Sequence, residues 1–319
     1  MNDQRNKTLT DAVDMPPVSG STDVYLILGD PVEQVLAPET FNPLFARFGY
    51  DAVLVPVQVS PKHLQTFVKA VFLAKSIKGL WITIPHKVPI MAALDHCSTL
   101  GQRAGAVNAV RRNPDGTLEG GLFDGEGLVN ALNYFGMAHV GKKVLVLGAG
   151  GAAAAIGASL AAGANAVSEL AFYDPAANRA ADVAARFAAS TTTRVFATTS
   201  NDPAGFDLVI NASPLGMHAS DALPLDVSRL APHAAVMDIV MKNQPTPLVQ
   251  AARARGLNAQ PGFEMLIQQA HLYLDFFGMT DAARAVAQDA TLLREHIYPA
   301  RLQGEIRPAA AATSASTSR

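Results

Sequence analysis

The sequence predicts an α/β fold of two domains with largely parallel sheets. Three observations carry this. Short β-rich runs alternate with helical patterns along most of the chain, as in strand–crossover–strand units. One run, Val144-Leu-Val-Leu147, leads into a Gly-rich turn and then an Ala-rich helix. The chain has 319 residues, 49% of them hydrophobic, which exceeds one domain at roughly 100–200 residues each and suffices to bury two cores.

In chain order, Met1 to Gly20 is polar and lacks the apolar stretch of a signal peptide, so a loose tail is expected over 1–22. The first strands are expected at Val24–Leu28, Ala52–Val57 and Leu80–Ile84. Helices are expected between them, at Glu39–Phe48 and Pro61–Ala74. In the second of these, Leu64, Phe67, Val68 and Val71 follow the i, i+3, i+4, i+7 spacing of one buried face. A second strand series runs through Lys143–Leu147, Leu170–Tyr173, Arg194–Ala197, Leu208–Ile210 and Ala235–Asp238, with helices near Ala152–Ala162, Ala177–Ala188 and Thr246–Ala254. Helical periodicity returns from Gly262 to Phe277 and from Asp281 to His296, where no strand is left to pair, so these helices are expected to fold back on the first domain. The segment 301–319 is low in complexity and is expected to be disordered.

Composition excludes several classes of function. Twenty-five basic against 27 acidic residues give a net charge of −2, without the basic excess that non-specific nucleic-acid binding requires. The single cysteine, Cys97, cannot form an intramolecular disulfide and fits a cytoplasmic protein. The longest weakly apolar run, Ala152 to Ala164, falls short of the roughly 20 residues of a membrane span. The eight histidines are scattered with no H-x-x-x-H pair, so no metal is expected.

The Gly-rich turn carries the sharpest chemistry. In Gly148-Ala-Gly150-Gly-Ala-Ala153, Gly148 permits a tight turn, Gly150 lets backbone approach a pyrophosphate, and Ala153 allows close helix–strand packing. The helix then offers free N–H groups to phosphate. Asp174, at the end of the next strand, stands where a carboxylate accepts from the adenine-ribose 2′-OH and repels a 2′-phosphate, which favours NAD over NADP. Asp174 before Pro175 also suits a helix cap, and Arg179 a turn later could reach a 2′-phosphate. In the first half, Lys87 follows a strand end and Asp124 precedes a helical segment. A Lys–Asp pair sharing protons suits alcohol oxidation or carbonyl reduction, although spacing alone does not pair them.

Gly29-Asp-Pro31 with Pro38, Ile82-Thr83-Ile-Pro85-His-Lys87, Gly105-Ala-Val-Asn108, Asp124-Gly125-x-Gly127, Gly148-Ala-Gly-Gly-Ala152, Asn211-Ala-Ser213-x-x-Gly216 and Gly262-x-x-Met265-Leu-x-x-Gln269 occur together in this order. In this the chain resembles the shikimate and quinate dehydrogenases over about residues 23–295. The resemblance implies a substrate-binding catalytic domain at 23–125, a Rossmann-like dinucleotide-binding domain at 126–260, and C-terminal helices at 261–300 packing on the first domain. It implies a catalytic pair of Lys87 and Asp124, with Thr83, Asn108 and Gln269 on the substrate. It also implies a cofactor site of Gly148, Ala149, Gly150, Gly151, Ala152 and Asp174, with Asn211, Ser213 and Gly216 near the nicotinamide.

The chain departs from that family where it would hold the substrate carboxylate. Two serines of the family correspond to Val35 and Ala37, an Asn to Trp81, an Asn-Thr pair to Leu122-Phe123, and a Tyr to Met241. Hydrogen bonds to a charged group contribute roughly 1.5–3 kcal/mol each, so the pocket lacks about 3–6 kcal/mol of carboxylate binding from the two serines alone. The expectation is an NAD-dependent oxidoreductase exchanging hydride with a small cyclic hydroxy acid or related alcohol, with no nucleic-acid or membrane partner and a homodimer as a possible assembly. The alternatives are an ordinary shikimate or quinate dehydrogenase, and a non-catalytic sensor of NAD and a ring compound.

Overall fold

The computed structural model describes residues 17–161, 163–189 and 192–304. The N-terminal part builds a six-stranded sheet from β1 (Asp23–Gly29), β2 (Ala52–Gln58), β3 (Ile77–Ile82), β4 (His96–Cys97), β5 (Ala109–Arg112) and β6 (Leu118–Gly121), in the order β2-β1-β3-β5-β6-β4. Helices α1 (Ala37–Arg47), α2 (Leu64–Val71) and α3 (Thr99–Ala104) connect its strands. β1 pairs in parallel with β2 and β3, as expected. β5 runs antiparallel to both β3 and β6, which the sequence reading did not anticipate. The signal is the turn Asn113-Pro-Asp-Gly116, where Gly116 takes φ +92° and the Asp115 carboxylate accepts the Thr117 N–H at 2.9 Å. β3 ends at Ile82, two residues before the expected Ile84, although Thr83 N–H and the Ile84 carbonyl still bond the end of β1 at 2.9 and 3.1 Å.

The second sheet holds β7 (Lys143–Leu147), β8 (Glu169–Tyr173), β9 (Arg194–Thr198), β10 (Leu208–Asn211), β11 (Ala235–Asp238) and β12 (Asn258–Pro261), all parallel. Its order, β9-β8-β7-β10-β11-β12, is that of a doubly wound dinucleotide-binding sheet, reversing direction between β7 and β10. β12 escaped the sequence reading because it is polar and ends in Pro261, a composition tolerated at an edge. Helices α4 (Asp124–Tyr134), α5 (Gly151–Leu160), α6 (Ala177–Ala185) and α7 (Pro247–Ala254) complete this half. Every residue of α5 from Ala153 to Leu160 is buried, as a helix with Ser159 as its one polar side chain requires.

α4 belongs to both halves. Its glycines let two other helices come close: a Cβ on Gly125 would lie 2.1 Å from the Ala155 carbonyl oxygen of α5, and one on Gly127 would lie 2.5 Å from that of Met265. Met265 lies on α8 (Phe263–Phe276), the first of the C-terminal helices, followed by α9 (Thr280–Gln288), α10 (Thr291–Ile297) and α11 (Ala300–Gln303). These pack Phe263, Ile267, Tyr273, Leu274 and Leu293 into one core with Tyr25, Phe41 and Trp81, so the chain does return to the N-terminal sheet. Each such buried side chain contributes about 1.5–3 kcal/mol of transfer free energy. The helix expected over Asp281–His296 is broken at Asp289, whose backbone is extended and whose carboxylate accepts the Thr291 N–H at 2.9 Å, starting α10 afresh.

Of the tails expected at 1–22 and 301–319, residues 1–16 and 305–319 lie outside the described residues. The described parts are anchored, contrary to the expectation. The Thr22 hydroxyl donates to Asp51 Oδ1 at 2.7 Å, and Leu302 joins the aromatic core.

Candidate active site

Lys87 leaves the turn that follows β3. That turn is held on both sides: Val107 donates its N–H to the Lys87 carbonyl at 2.9 Å, and the buried His86 ring places Nε2 2.7 Å from the Val59 carbonyl, which fixes the proton on Nε2. The ammonium of Lys87 donates to Oδ2 of Asp124, the first residue of α4, with only 16% and 7% of the two side chains exposed. A carboxylate there also faces the positive end of the α4 dipole. The Lys87 stem passes over the start of α5, its Cβ 3.7 Å from where a Cβ on Gly151 would sit. The pair expected from the resemblance is thus brought together beside the Gly-rich turn.

Asn108 is fully buried just before β5, its Oδ1 accepting the Phe123 N–H at 3.0 Å and its Nδ2 donating to Gln269 Oε1 at 3.2 Å. One turn further along α8, the Tyr273 hydroxyl donates to the Asn108 carbonyl at 3.2 Å. Burial, aided by the nearby Asp124 charge, holds that phenol well above its usual pKa, so it remains a donor. The sequence reading missed Tyr273; its place four residues after Gln269, on the same helix face, was the available signal. After bonding to each other, Asn108 and Gln269 each have amide hydrogens that this contact does not use. Thr83 sits where β3 meets the end of β1, its N–H donating to the Leu28 carbonyl at 2.9 Å.

Of the apolar departures, Val35, Ala37, Trp81, Phe123 and Met241 gather into one cluster with Tyr273, whereas Leu122 is buried in the core of the dinucleotide half. The clustered residues are not equivalent. Trp81, 2% exposed, stacks between Tyr273 and Phe277 with ring centroids at 5.3 and 4.3 Å, so it is core and not pocket wall. Ala37 is also buried, whereas Val35, Phe123 and Met241 keep partly open surfaces.

The residues expected to hold a dinucleotide surround the point where the second sheet reverses direction. Gly148 takes φ +99°, and a Cβ there would lie 2.7 Å from the Ala212 carbonyl oxygen, so only glycine fits this crossing of two loops. Gly150 caps α5, and a Cβ there would meet nothing within 4 Å. The first helical bond runs from Ala154 N–H to the Gly150 carbonyl at 3.0 Å, which leaves the N–H groups of Gly151, Ala152 and Ala153 without helical partners. Asp174 bonds the turn itself, Oδ2 accepting the Ala149 N–H at 3.0 Å, while Oδ1 accepts the Ala176 N–H at 2.9 Å. Its remaining lone pairs can accept a ribose hydroxyl. The residue at the N-cap of α6 is Ala176, so Asp174 does not cap that helix directly. These groups fit a dinucleotide: an open Gly cradle, a helix N-terminus and a carboxylate on the adjacent strand. Asn211 is fully buried, with Nδ2 donating to the Leu215 carbonyl and Oδ1 accepting from the Ser213 hydroxyl at 2.6 Å. It therefore shapes the loop that leads to Gly216 and is itself covered by it. Among the described residues, no group of three His, Cys, Asp or Glu could hold a metal ion, and no helix is long and apolar enough to cross a membrane.

Residues 27–110 match the shikimate dehydrogenase substrate binding domain. A shikimate dehydrogenase (NADP(+)) of Rubrobacter xylanophilus is 37% identical over 260 residues, covering 80% of this chain and 90% of that one. Among solved structures, the shikimate 5-dehydrogenase of Listeria monocytogenes in complex with shikimate and NAD is 27% identical with a TM-score of 0.75, covering 84% of this chain and 97% of that one. The 5-ketofructose reductase of a Gluconobacter strain is 26% identical with a TM-score of 0.73, covering 87% and 99%. With a Lys–Asp pair beside a doubly wound sheet and this extent of identity, the chain belongs to the shikimate dehydrogenase family of oxidoreductases.

Proposed function

We propose that the protein exchanges hydride between NAD and a secondary alcohol or ketone of a cyclic compound that carries no carboxylate at the end facing Val35, Phe123 and Met241. The observation that carries the chemistry is the nearly buried Lys87–Asp124 pair lying against the first residue of α5. When bound, the nicotinamide supplies or accepts the hydride. Lys87 and Asp124 handle the proton that accompanies it: they take it from the substrate hydroxyl on oxidation and return it to the carbonyl oxygen on reduction. Asn108 and Gln269 orient the remaining hydroxyls with the amide hydrogens not used between them, and Thr83 adds a hydroxyl at the strand end. The helix start at Gly151–Ala153 would hold the pyrophosphate, and Asp174 the adenine ribose. In this reading 23–125 is the substrate domain, 126–260 the dinucleotide domain, and 261–300 the helices that carry Gln269 back to the substrate.

The altered substrate end is supported by the partly open apolar side chains of Val35, Phe123 and Met241, none of which can donate to an anion. It is also in keeping with a similar fold being named for the reduction of 5-ketofructose, an uncharged ketose. The preference for NAD is supported by Asp174, which would repel a 2′-phosphate. A second reading, an NADP-dependent shikimate dehydrogenase, is favoured by the name of the relative from Rubrobacter xylanophilus. Reduced-cofactor formation with NAD and NADP, measured against shikimate, quinate and uncharged cyclic polyols, separates the two. Preference for shikimate with NADP would replace the first reading by the second.

A further inference from the structure

Asp238 ends β11 and is fully buried, yet the proton transfer described above does not involve it. Its Oδ1 accepts from Asn211 Nδ2 at 3.0 Å and from the Val240 N–H at 3.1 Å, and its Oδ2 accepts from the Thr246 hydroxyl at 2.6 Å. Burial pushes its carboxyl pKa up against the opposing pull of these bonds, so the site holds an acid where hydrocarbon would be less costly.

The partners indicate a purpose. Thr246 caps α7, its hydroxyl accepting the Val249 N–H at 3.3 Å. Asn211 uses its second amide hydrogen on the Leu215 carbonyl and its oxygen on both the N–H and the hydroxyl of Ser213. Every polar atom of Asn211 is therefore engaged, and its amide nitrogen faces β11 only because an acceptor is there. The loop lies directly over this network: a Cβ on Gly216 would sit 3.9 Å from Asp238 Oδ2 and 3.3 Å from Thr246 Cγ2. Its other end, at Ala212, abuts Gly148. A dinucleotide whose adenosine lies toward Asp174, just past β8, extends its other half across β7 onto β10 and this loop.

We propose that Asp238 is a positioning residue for the nicotinamide half of the cofactor, acting through Asn211 and the Ala212–Gly216 loop; this rests on the dinucleotide reading above. The test compares NAD with ADP-ribose, which is NAD without its nicotinamide ring, by calorimetric titration of the full chain, with NADP and 2′-phospho-ADP-ribose as a parallel pair. Asp238→Ala is expected to weaken NAD about tenfold or more and to leave ADP-ribose within about twofold, because three buried donors lose their acceptor under one end of the ligand only. Asp238→Asn keeps an acceptor oxygen for Asn211 and should restore most of the lost affinity. Thr246→Val should reproduce part of the defect and Thr246→Ser should not, which keeps the proposal testable if Asp238→Ala fails to fold. Equal weakening of NAD and ADP-ribose, or no weakening of either, would overturn the positioning role. Failure of the wild-type protein to bind any of these ligands would instead remove the dinucleotide reading, and this proposal with it.

Discussion

The proposed substrate site has two ends built on different plans. Where Lys87, Asp124 and the start of α5 meet, charged groups are paired, helix ends point inward, and Gly125 and Gly148 allow approaches that no side chain would permit. The other is the apolar cluster of Val35, Phe123 and Met241, backed by an aromatic stack of Tyr273, Trp81 and Phe277, with Phe123 directly before Asp124 in the chain. In the proposed reading the first end serves a reaction step common to many alcohols and the second selects which alcohol is held. The difference then teaches that proton transfer and substrate anchoring can be carried by separate groups, so that one can change while the other stands.

The largest expected effect strikes the charged end. Lys87→Ala should lower turnover by about 10²–10⁴-fold while the dissociation constant for NAD changes by no more than about twofold. Wild-type turnover in this variant would demote Lys87 to a structural role and erase the distinction between the ends.

A loss of stability that favours one end would sharpen the comparison. Glu264, fully buried at the start of α8, pairs with Arg294 of α10, whose guanidinium also lies 4.2 Å over the Tyr134 ring. Removing one partner of a buried ion pair costs about 3–5 kcal/mol, so Arg294→Ala should lower the unfolding midpoint markedly. Because α8 carries Gln269, substrate KM should rise in the folded variant more than the NAD dissociation constant does. Denaturant unfolding and steady-state kinetics on the same preparation check both.

Smaller changes are expected from restoring or removing single polar contacts. Val35→Ser with Ala37→Ser should raise kcat/KM for carboxylated ring alcohols by about tenfold or more, less than two full charged hydrogen bonds would give, since Ala37 is buried and Phe123 and Met241 remain. No gain would show that other groups limit carboxylate binding. Asp174→Ala should narrow the ratio of NAD to NADP affinity by severalfold, and it should also loosen the turn that Asp174 holds through Ala149. Tighter binding of NADP by the native protein would contradict the assignment of Asp174.

Apart from the polar edge strand β12, the dinucleotide sheet was readable in the sequence, because its strands are short apolar runs and glycines with a specific task, such as Gly148, punctuate them. The N-terminal half was less so. β5 and β6 carry arginines and glycines and pair through a hairpin, so neither an apolar run nor a helical period marks them. The pair Lys87 and Asp124 came from motif resemblance, since the contact joins residues 37 apart in sequence, one on a turn and one at a helix start, that only the fold brings together. Tyr273 and Asp238 did not stand out in the sequence for the same reason: each is tied to a partner from another element. Trp81 stands in the sequence among the departures near the substrate carboxylate, but both of its faces are covered by Tyr273 and Phe277, which a sequence position does not show.

The most direct measurement is kcat/KM of the wild-type protein, at fixed NAD, for shikimate and for the same ring triol lacking the carboxylate. If hydrocarbon has replaced the carboxylate anchor beside an intact proton-transfer pair, the uncharged triol should be used at least as well as shikimate. A preference for shikimate by about 100-fold or more, the equivalent of about 2.7 kcal/mol of retained anion binding, would contradict the account.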